Sequence, residues 1–424
     1  MRVLIAPDAF KESLTPVEAA EAIALGVRRA ADAKHIAVEI DLCPIADGGE
    51  GFIEAIVANR ACRVMEARVL GPLGVRVPAP WALLRDDDEP SAASAALRAA
   101  GKAIVFGLLG VVGDQDDAER RPGAAIESAG ACGLSLVPVD RRDPERTTSA
   151  GVGELIGEAV DYDCGRIIVG LGGSATVDGG IGCLHALGAR FRDEADRPIG
   201  DERTPPTGAD LARVHGVNLS SLDPRLSDVE ILCACDVDNP LTGEQGAARV
   251  YGPQKGATPE QVERLDAGLE RLVACAKRAG LRPKPDAPGA GAAGGLGFAL
   301  ATFLGATLAP GAELVLAGVG FESRCLEADL VITGEGSIDA QSARGKAAWA
   351  AGRLGSALGR DVVAIGGRVT PEARLLTRER GGPFHTVWAA APDRMPRDEA
   401  LARAADLLAE AAGLAFNAWL RARR

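Results

Sequence analysis

Short apolar runs that end in polar, glycine-bearing loops and lead into helical patterns recur along this chain, and that alternation admits few folds. Arg2–Pro7 is such a run, and Thr15-Pro16-Val17-Glu18 after it reads as a capping box with proline at the first helical position. A second apolar stretch, 36–42, meets the loop Ala46-Asp47-Gly48-Gly49-Glu50-Gly51, a helical segment to about Asn59, and a further apolar stretch to Val69. Strands alternating with helices predict a parallel sheet covered by helices, an α/β fold. At 424 residues the chain exceeds what one hydrophobic core usually spans, so two α/β domains are expected.

Proline and glycine accumulate from Gly71 to Pro80, and Arg85-Asp86-Asp87-Asp88-Glu89-Pro90 is a charged breaker, which places a boundary near residue 70. Strands are predicted at 166–170 and 231–235. After the proline-rich 283–288 the alternation returns, with strands at 329–333, 361–365 and 386–389. The expectation is one discontinuous domain from 1–69 plus 290–424, with a second α/β domain, 70–289, inserted into it.

Charge excludes some partners. Lys and Arg number 47 against 59 Asp and Glu, a net charge of −12, which opposes attraction to nucleic-acid phosphates or anionic membranes. The nine cysteines are scattered, and Cys233 and Cys235 lack the usual zinc or redox spacing, so a reducing cytoplasm is expected. The N-terminus shows no apolar stretch of signal-peptide length. Residues 287–312 are uncharged but are broken by glycines, Pro288 and Pro310, which predicts a packed loop and helix instead of a membrane span.

Ligands of open α/β sheets collect beyond the carboxyl ends of the strands. Three polar loops are predicted there. Asp8, Lys11 and Ser13 lie in the first, where Lys11 can neutralise a carboxylate or a phosphoryl group; a solvated turn explains the same residues. Asp47 and Glu50 stand among Gly48, Gly49 and Gly51, a composition suited to anion approach and to holding a metal or a hydroxyl. Asp236-Val237-Asp238-Asn239-Pro240 offers two carboxylates and an amide, which suits Mg²⁺, although such residues before proline also simply start turns.

Glycine-rich segments at 170–180, 291–297 and 333–339 could cradle phosphates. Gly170-Leu171-Gly172-Gly173-Ser174-Ala175 satisfies a relaxed dinucleotide fingerprint, with Asp193 about twenty residues on. That pattern supports a rival reading, an NAD(P)-dependent dehydrogenase of a small hydroxy acid. A Walker A loop is missing, because Gly345-Lys346 is preceded by Ala340 at the required place and followed by Ala347. The four histidines, 35, 185, 215 and 385, read as structural, and aspartates with lysine at strand ends suit phosphoryl transfer better than hydride chemistry.

Nine collinear stretches carry a resemblance. They are 5–13 (IAPDAFKES), 46–51 (ADGGEG), 71–74 (GPLG), 147–155 (TTSAGVGEL), 172–180 (GGSATVDGG), 234–241 (ACDVDNPL), 252–257 (GPQKGA), 291–297 (GAAGGLG) and 333–339 (TGEGSID). In these the chain resembles the bacterial glycerate kinase family of the 2-phosphoglycerate-forming type. The resemblance implies a Rossmann-like parallel-sheet domain with a second α/β domain inserted, and a cleft where ATP, Mg²⁺ and D-glycerate meet. It also implies roles. Asp47 or Asp236 would accept the proton of the attacking hydroxyl, with Lys11 at the transferring group. Asp8, Lys11, Ser13, Gly48, Glu50 and Asn239 would bind substrate, and Asp236 with Asp238 would hold the metal. Gly172, Gly173, Ser174, Gly294, Gly295, Gly334, Glu335 and Gly336 would line the nucleotide. A homo-oligomer is compatible with the resemblance. Departures are an acidic, alanine-rich 85–121, Arg344 where relatives often carry His, and Gly366-Gly367-Arg368 in place of a Gly-Ser pair.

Overall fold

The computed structural model describes residues 1–49, 51–60, 62–84, 121–339, 342 and 346–423. Glu50, the stretch 85–120, Arg344 and Gly345 lie outside the described residues. The strands in chain order are β1 (Arg2–Pro7), β2 (Glu39–Leu42), β3 (Cys62–Leu70), β4 (Arg76–Leu84), β5 (Gly123–Glu127), β6 (Arg166–Gly170), β7 (Arg190–Arg192), β8 (Pro198–Ile199), β9 (Gly216–Asn218), β10 (Glu230–Cys235), β11 (Thr307–Pro310), β12 (Leu330–Ile338), β13 (Asp361–Val369) and β14 (Thr386–Ala389).

Strands from the two ends of the chain form a five-stranded sheet, ordered β14-β13-β12-β1-β2 and parallel throughout. Side chains alternate across it as the pleat requires. Val3 and Ile5 pack with Ile23, Val27, Phe416 and Trp419 from helices Pro16–Asp32 and Ala404–Ala422. Leu4 and Ala6 point the other way, into a core with Phe52, Val315, Phe321 and Ala351. Each large side chain buried this way contributes about 1.5–3 kcal/mol. The predicted capping box is present: Glu18 N–H donates to Thr15 Oγ1 at 3.3 Å, and Thr15 N–H donates to Glu18 Oε2 at 2.9 Å.

The second sheet is ordered β11-β10-β6-β5-β4-β3, parallel from β11 to β5 and antiparallel at β4 and β3. A small antiparallel sheet, β8-β7-β9, lies within the same stretch of chain. Helices Phe52–Asn59 and Gly311–Gly318 join the two large sheets, since Phe52, Ala312 and Val315 share one core with Ala82, Leu84 and Ala125 of the second sheet.

This topology moves both expected boundaries. β3, expected with 1–69, forms a hairpin with β4, and Gly71-Pro72-Leu73-Gly74 is its turn, closed by Gly71 N–H to Val75 O at 2.8 Å and Gly74 N–H to Gly71 O at 3.0 Å. The proline and glycine cluster therefore punctuates a sheet instead of ending one. At the other end β11 pairs with β10, and helix Ala292–Phe303 packs Leu296 and Leu300 into the second sheet's core, so the chain returns to the first sheet at Gly311 and not at 290. Among the described residues no helix is long and apolar enough to cross a membrane.

Candidate active site

The chain leaves β1 toward β2 on one side and reaches β12 on the other, so the strand order of the first sheet reverses at β1/β12. At such a point the loops beyond adjacent strands diverge and open a crevice. A cavity of ≈ 290 Å³ occupies it, lined by Asp8, Lys11, Ser13, Asp47, Glu335 and Lys346 at one end. The loop after β1 is tied down by Asp8 N–H to Gly334 O at 2.8 Å, and Ser13 Oγ donates to Phe10 O at 2.8 Å.

Gly334, Glu335 and Gly336 were expected in a phosphate-cradling loop, but they lie in β12, where Glu335 is in register with Gly366 of β13. The small size of the two glycines serves close packing: a Cβ on Gly336 would stand 3.2 Å from Lys11 N, and one on Gly334 2.2 Å from Ile365 O of β13 and 3.3 Å from Phe10 Cζ. Glu335 is buried and takes an ion pair from Lys346 Nζ at 2.8 Å, while among the described residues its Oε1 has no hydrogen-bond partner. Burial raises its pKa despite Lys346.

The second sheet brings its own strand end to the same place. Asp236, just past β10, accepts from Gly311 N–H at 3.1 Å and Ala312 N–H at 3.3 Å. Burial, and next the charge of Asp47, raise Asp236 to about 8, with Lys11 pulling the other way. Burial and Asp47 likewise push Asp8 well above the ordinary carboxylate range. Asp47 is thus the shared neighbour of two acids from different sheets, and Lys11 is the cation both of them feel. Asp47 Oδ1 accepts from Gly49 N–H at 3.0 Å, which sets the loop. That loop touches the second sheet at Gly172, where N–H donates to Gly48 O at 3.3 Å and an added Cβ would fall 2.4 Å from Gly49 Cα.

Other expected residues lie apart from this convergence. Asp238 is exposed, and the groups that feel its charge are Cys235 and Tyr251. Asn239 spends its amide within its own loop, donating from Nδ2 to Gln245 O at 2.8 Å and accepting from Tyr251 OH at 2.5 Å. Ser174 is buried and accepts from Lys255 Nζ at 2.9 Å; the same ammonium donates to Thr176 O at 2.7 Å. Gly294 and Gly295 are buried in a left-handed kink, φ 69° and 94°, against the backbone of Thr176 and Gly179. Gly173, by contrast, is exposed beside Gly172.

The sequence reading missed Lys346 and Arg397 as cavity residues, and Arg368 stood in it only as a departure from a Gly-Ser pair. Lys346 carries a signal, a lysine after a glycine-rich strand, although it completes no Walker pattern. Arg397 carried none, since it opens the exposed helix Arg397–Ala402 far along the chain from Glu12, with which it forms an ion pair at 2.5 Å beside the cavity.

The model of the glycerate kinase family matches residues 3–420. The chain belongs to the glycerate kinase family. It is 39% identical over 411 residues to a glycerate kinase of Bacillus subtilis strain 168, covering 96% of this chain and 95% of that protein. It is 40% identical over 377 residues to a glycerate 2-kinase of Escherichia coli K12, covering 89% and 87%. A crystal structure of a protein assigned as glycerate kinase 2 of Salmonella typhimurium LT2 superposes with a TM-score of 0.78 at 38% identity, covering 100% of this chain and 99% of that one.

The dehydrogenase alternative finds no support in this glycerate kinase family member. A dinucleotide fingerprint needs a helix opening on its glycines to meet the pyrophosphate. Here the helix after Gly170–Ala175 begins only at Ile181. Asp193, the supposed ribose ligand, is instead buried and bonded to Arg197 at 2.8 Å.

Proposed function

We propose that this chain is a glycerate kinase that transfers the γ-phosphoryl group of ATP to D-glycerate, giving 2-phosphoglycerate. The observation that carries this reading is the convergence of Asp8, Lys11 and Asp47 from one sheet with Asp236 from the other, in a chain matched by that family over nearly its whole length.

Phosphoryl transfer asks for positioning and for neutralisation of developing charge. Lys11 and Lys346 supply ammonium groups at the carboxylate-lined end of the cavity, where the terminal phosphates would lie. Asp236 stands across from that cavity on the second sheet, and burial beside Asp47, which raises it to about 8, makes its deprotonated form a stronger acceptor for a hydroxyl proton than an ordinary carboxylate. The glycerate hydroxyl would lie between Asp236 and the phosphate, with Gly172 and the exposed Gly173 as the far wall.

The donor set also fits a hard divalent cation. Asp8 and Asp47 offer carboxylate oxygens in a crevice where acids repel one another and Lys11 and Lys346 partly offset them. Among the described residues no three acidic, histidine or cysteine side chains cluster tightly enough to cage a metal, so Mg²⁺ would take Asp8 and Asp47 plus phosphate and water oxygens, as it commonly does. When bound, the ion supplies charge stabilisation for the phosphates. Asp238, which is exposed, has no part in this proposal. All nine cysteines are free thiols, which supports a reducing cytoplasm as the place of action.

Phosphorus-31 NMR of the product from D-glycerate and Mg·ATP tests the reading. A 2-phosphoglycerate resonance is expected. A 3-phosphoglycerate resonance would overturn the regiochemistry, and no phosphorylated glycerate would overturn the activity.

A further inference from the structure

The cavity at the β1/β12 switch point has two chemically different ends. Beyond the carboxylates and lysines, Arg368 at the tip of β13 and Arg397 at the start of its helix stand along the wall. Past them the lining becomes apolar: Ala390, Ala391, Ala400, Leu401, Ala404 and Leu407. Glu12, held at φ 68° in the β1 loop, reaches over to pair with Arg397, so the loop carrying Lys11 and the helix carrying the apolar wall are tied across the cavity.

A three-carbon acid with hydroxyls on its carbons has no apolar face to set against six alanine and leucine side chains. Nor does it need the whole volume, which is near the lower end of ordinary small-molecule pockets, about 300 Å³. A nucleotide has the matching order of parts: a terminal phosphate that needs cations and hard-cation ligands, inner phosphates that suit guanidinium groups, and a flat, largely apolar base. We propose that the apolar end formed by the 390–391 turn and the helices Arg397–Ala402 and Ala404–Ala422 is the purine subsite, with Arg368 and Arg397 beside the inner phosphates. The nucleotide thus lies wholly on the first sheet, and the Gly172–Ser174 loop belongs to the acceptor's side. This rests on the kinase reading above.

Ala404→Trp fills the apolar end, and Leu401→Ala enlarges it with little risk to folding. Ala404→Trp is expected to raise KM for Mg·ATP about tenfold or more while KM for D-glycerate stays within about twofold; Leu401→Ala should raise KM for Mg·ATP by a smaller factor in the same direction. Adenosine should compete with ATP in the wild type and lose binding in Ala404→Trp, whereas inorganic tripolyphosphate should bind both alike. A rise in KM for glycerate alone, unchanged constants in both variants, or equal loss of adenosine and tripolyphosphate would overturn the assignment. If the wild type phosphorylates no glycerate the kinase reading fails, and adenosine titration then decides the subsite separately: binding lost in Ala404→Trp upholds it, and no binding to the wild type overturns it.

Discussion

The Gly311 amide donates to Asp236 Oδ1 at 3.1 Å, so the residue at which the chain re-enters the first sheet also holds the carboxylate at the tip of the second. A Cβ on Gly311 would stand 2.1 Å from the carbonyl oxygen of Asp47. One glycine therefore sets the spacing of the two acids, because nothing larger fits between the loop that carries one and the amide that holds the other.

Gly311→Ala should push the Asp47 loop away from Asp236 without replacing either acid. Overpacking of this kind costs about 1–3 kcal/mol of stability. The loss of turnover should be larger, about a hundredfold, as misplacement near reacting groups produces. Steady-state kinetics alongside thermal melts check this; a variant that melts earlier but keeps its kcat would show that the spacing is unimportant.

Asp236→Asn should trade turnover for stability, with a definite pH dependence. The folded carboxyl sits at about 8 against an ordinary 3.8. Between these values the folded state binds the extra proton, so this group's destabilising effect is absent at low pH, grows through the window and is complete above about pH 8. The variant, which keeps an oxygen for Gly311, should be more stable than wild type at pH 9 by on the order of a few kcal/mol and show no such gain at pH 4, while kcat falls about a hundredfold or more. Urea unfolding in EDTA at the two pH values measures the first effect. In the same buffer, carbon-13 NMR should find Asp236 titrating lower in Asp47→Asn, since one of the two causes that raise it is gone.

Lys346→Met should strand Glu335 in the cavity wall. Removing one partner of a buried ion pair costs about 3–5 kcal/mol, and the exposure of a third of the Lys346 side chain reduces this to about 2 kcal/mol. Adding Glu335→Gln should restore the melting temperature but not phosphoryl transfer. Recovery of both would make Lys346 a purely structural residue.

Lys255, buried against Ser174, offers a further test. Burial lowers its ammonium from 10.5 to about 8. Between those values the unfolded chain holds the extra proton, so stability contributed here rises with pH across that window, and the full desolvation cost is present below about pH 8. Wild type should therefore gain on the order of 3 kcal/mol relative to Lys255→Met between pH 8 and 10.5. Parallel slopes for the two proteins would mean that Lys255 is neutral throughout or is solvated.

Local periodicity and turn chemistry made much of this protein legible as a chain of residues. The capping box at Thr15, the strands 2–7, 166–170 and 386–389, and the acids placed at strand ends all depend on neighbours within a few positions, and so did the motifs that pointed to the family. Sheet membership depends on partners far along the chain. The Gly71–Gly74 segment reads equally as a hairpin turn or a domain break until β3 is seen beside β4, and 333–339 reads as a loop until β13 is seen alongside. The site depended still more on tertiary packing. Asp47 meets Asp236 because two sheets share the helices between them, Arg397 meets Glu12 across 385 residues because both border one cavity at the first sheet, and a pattern of residue types carries no record of which distant loops that packing presses together.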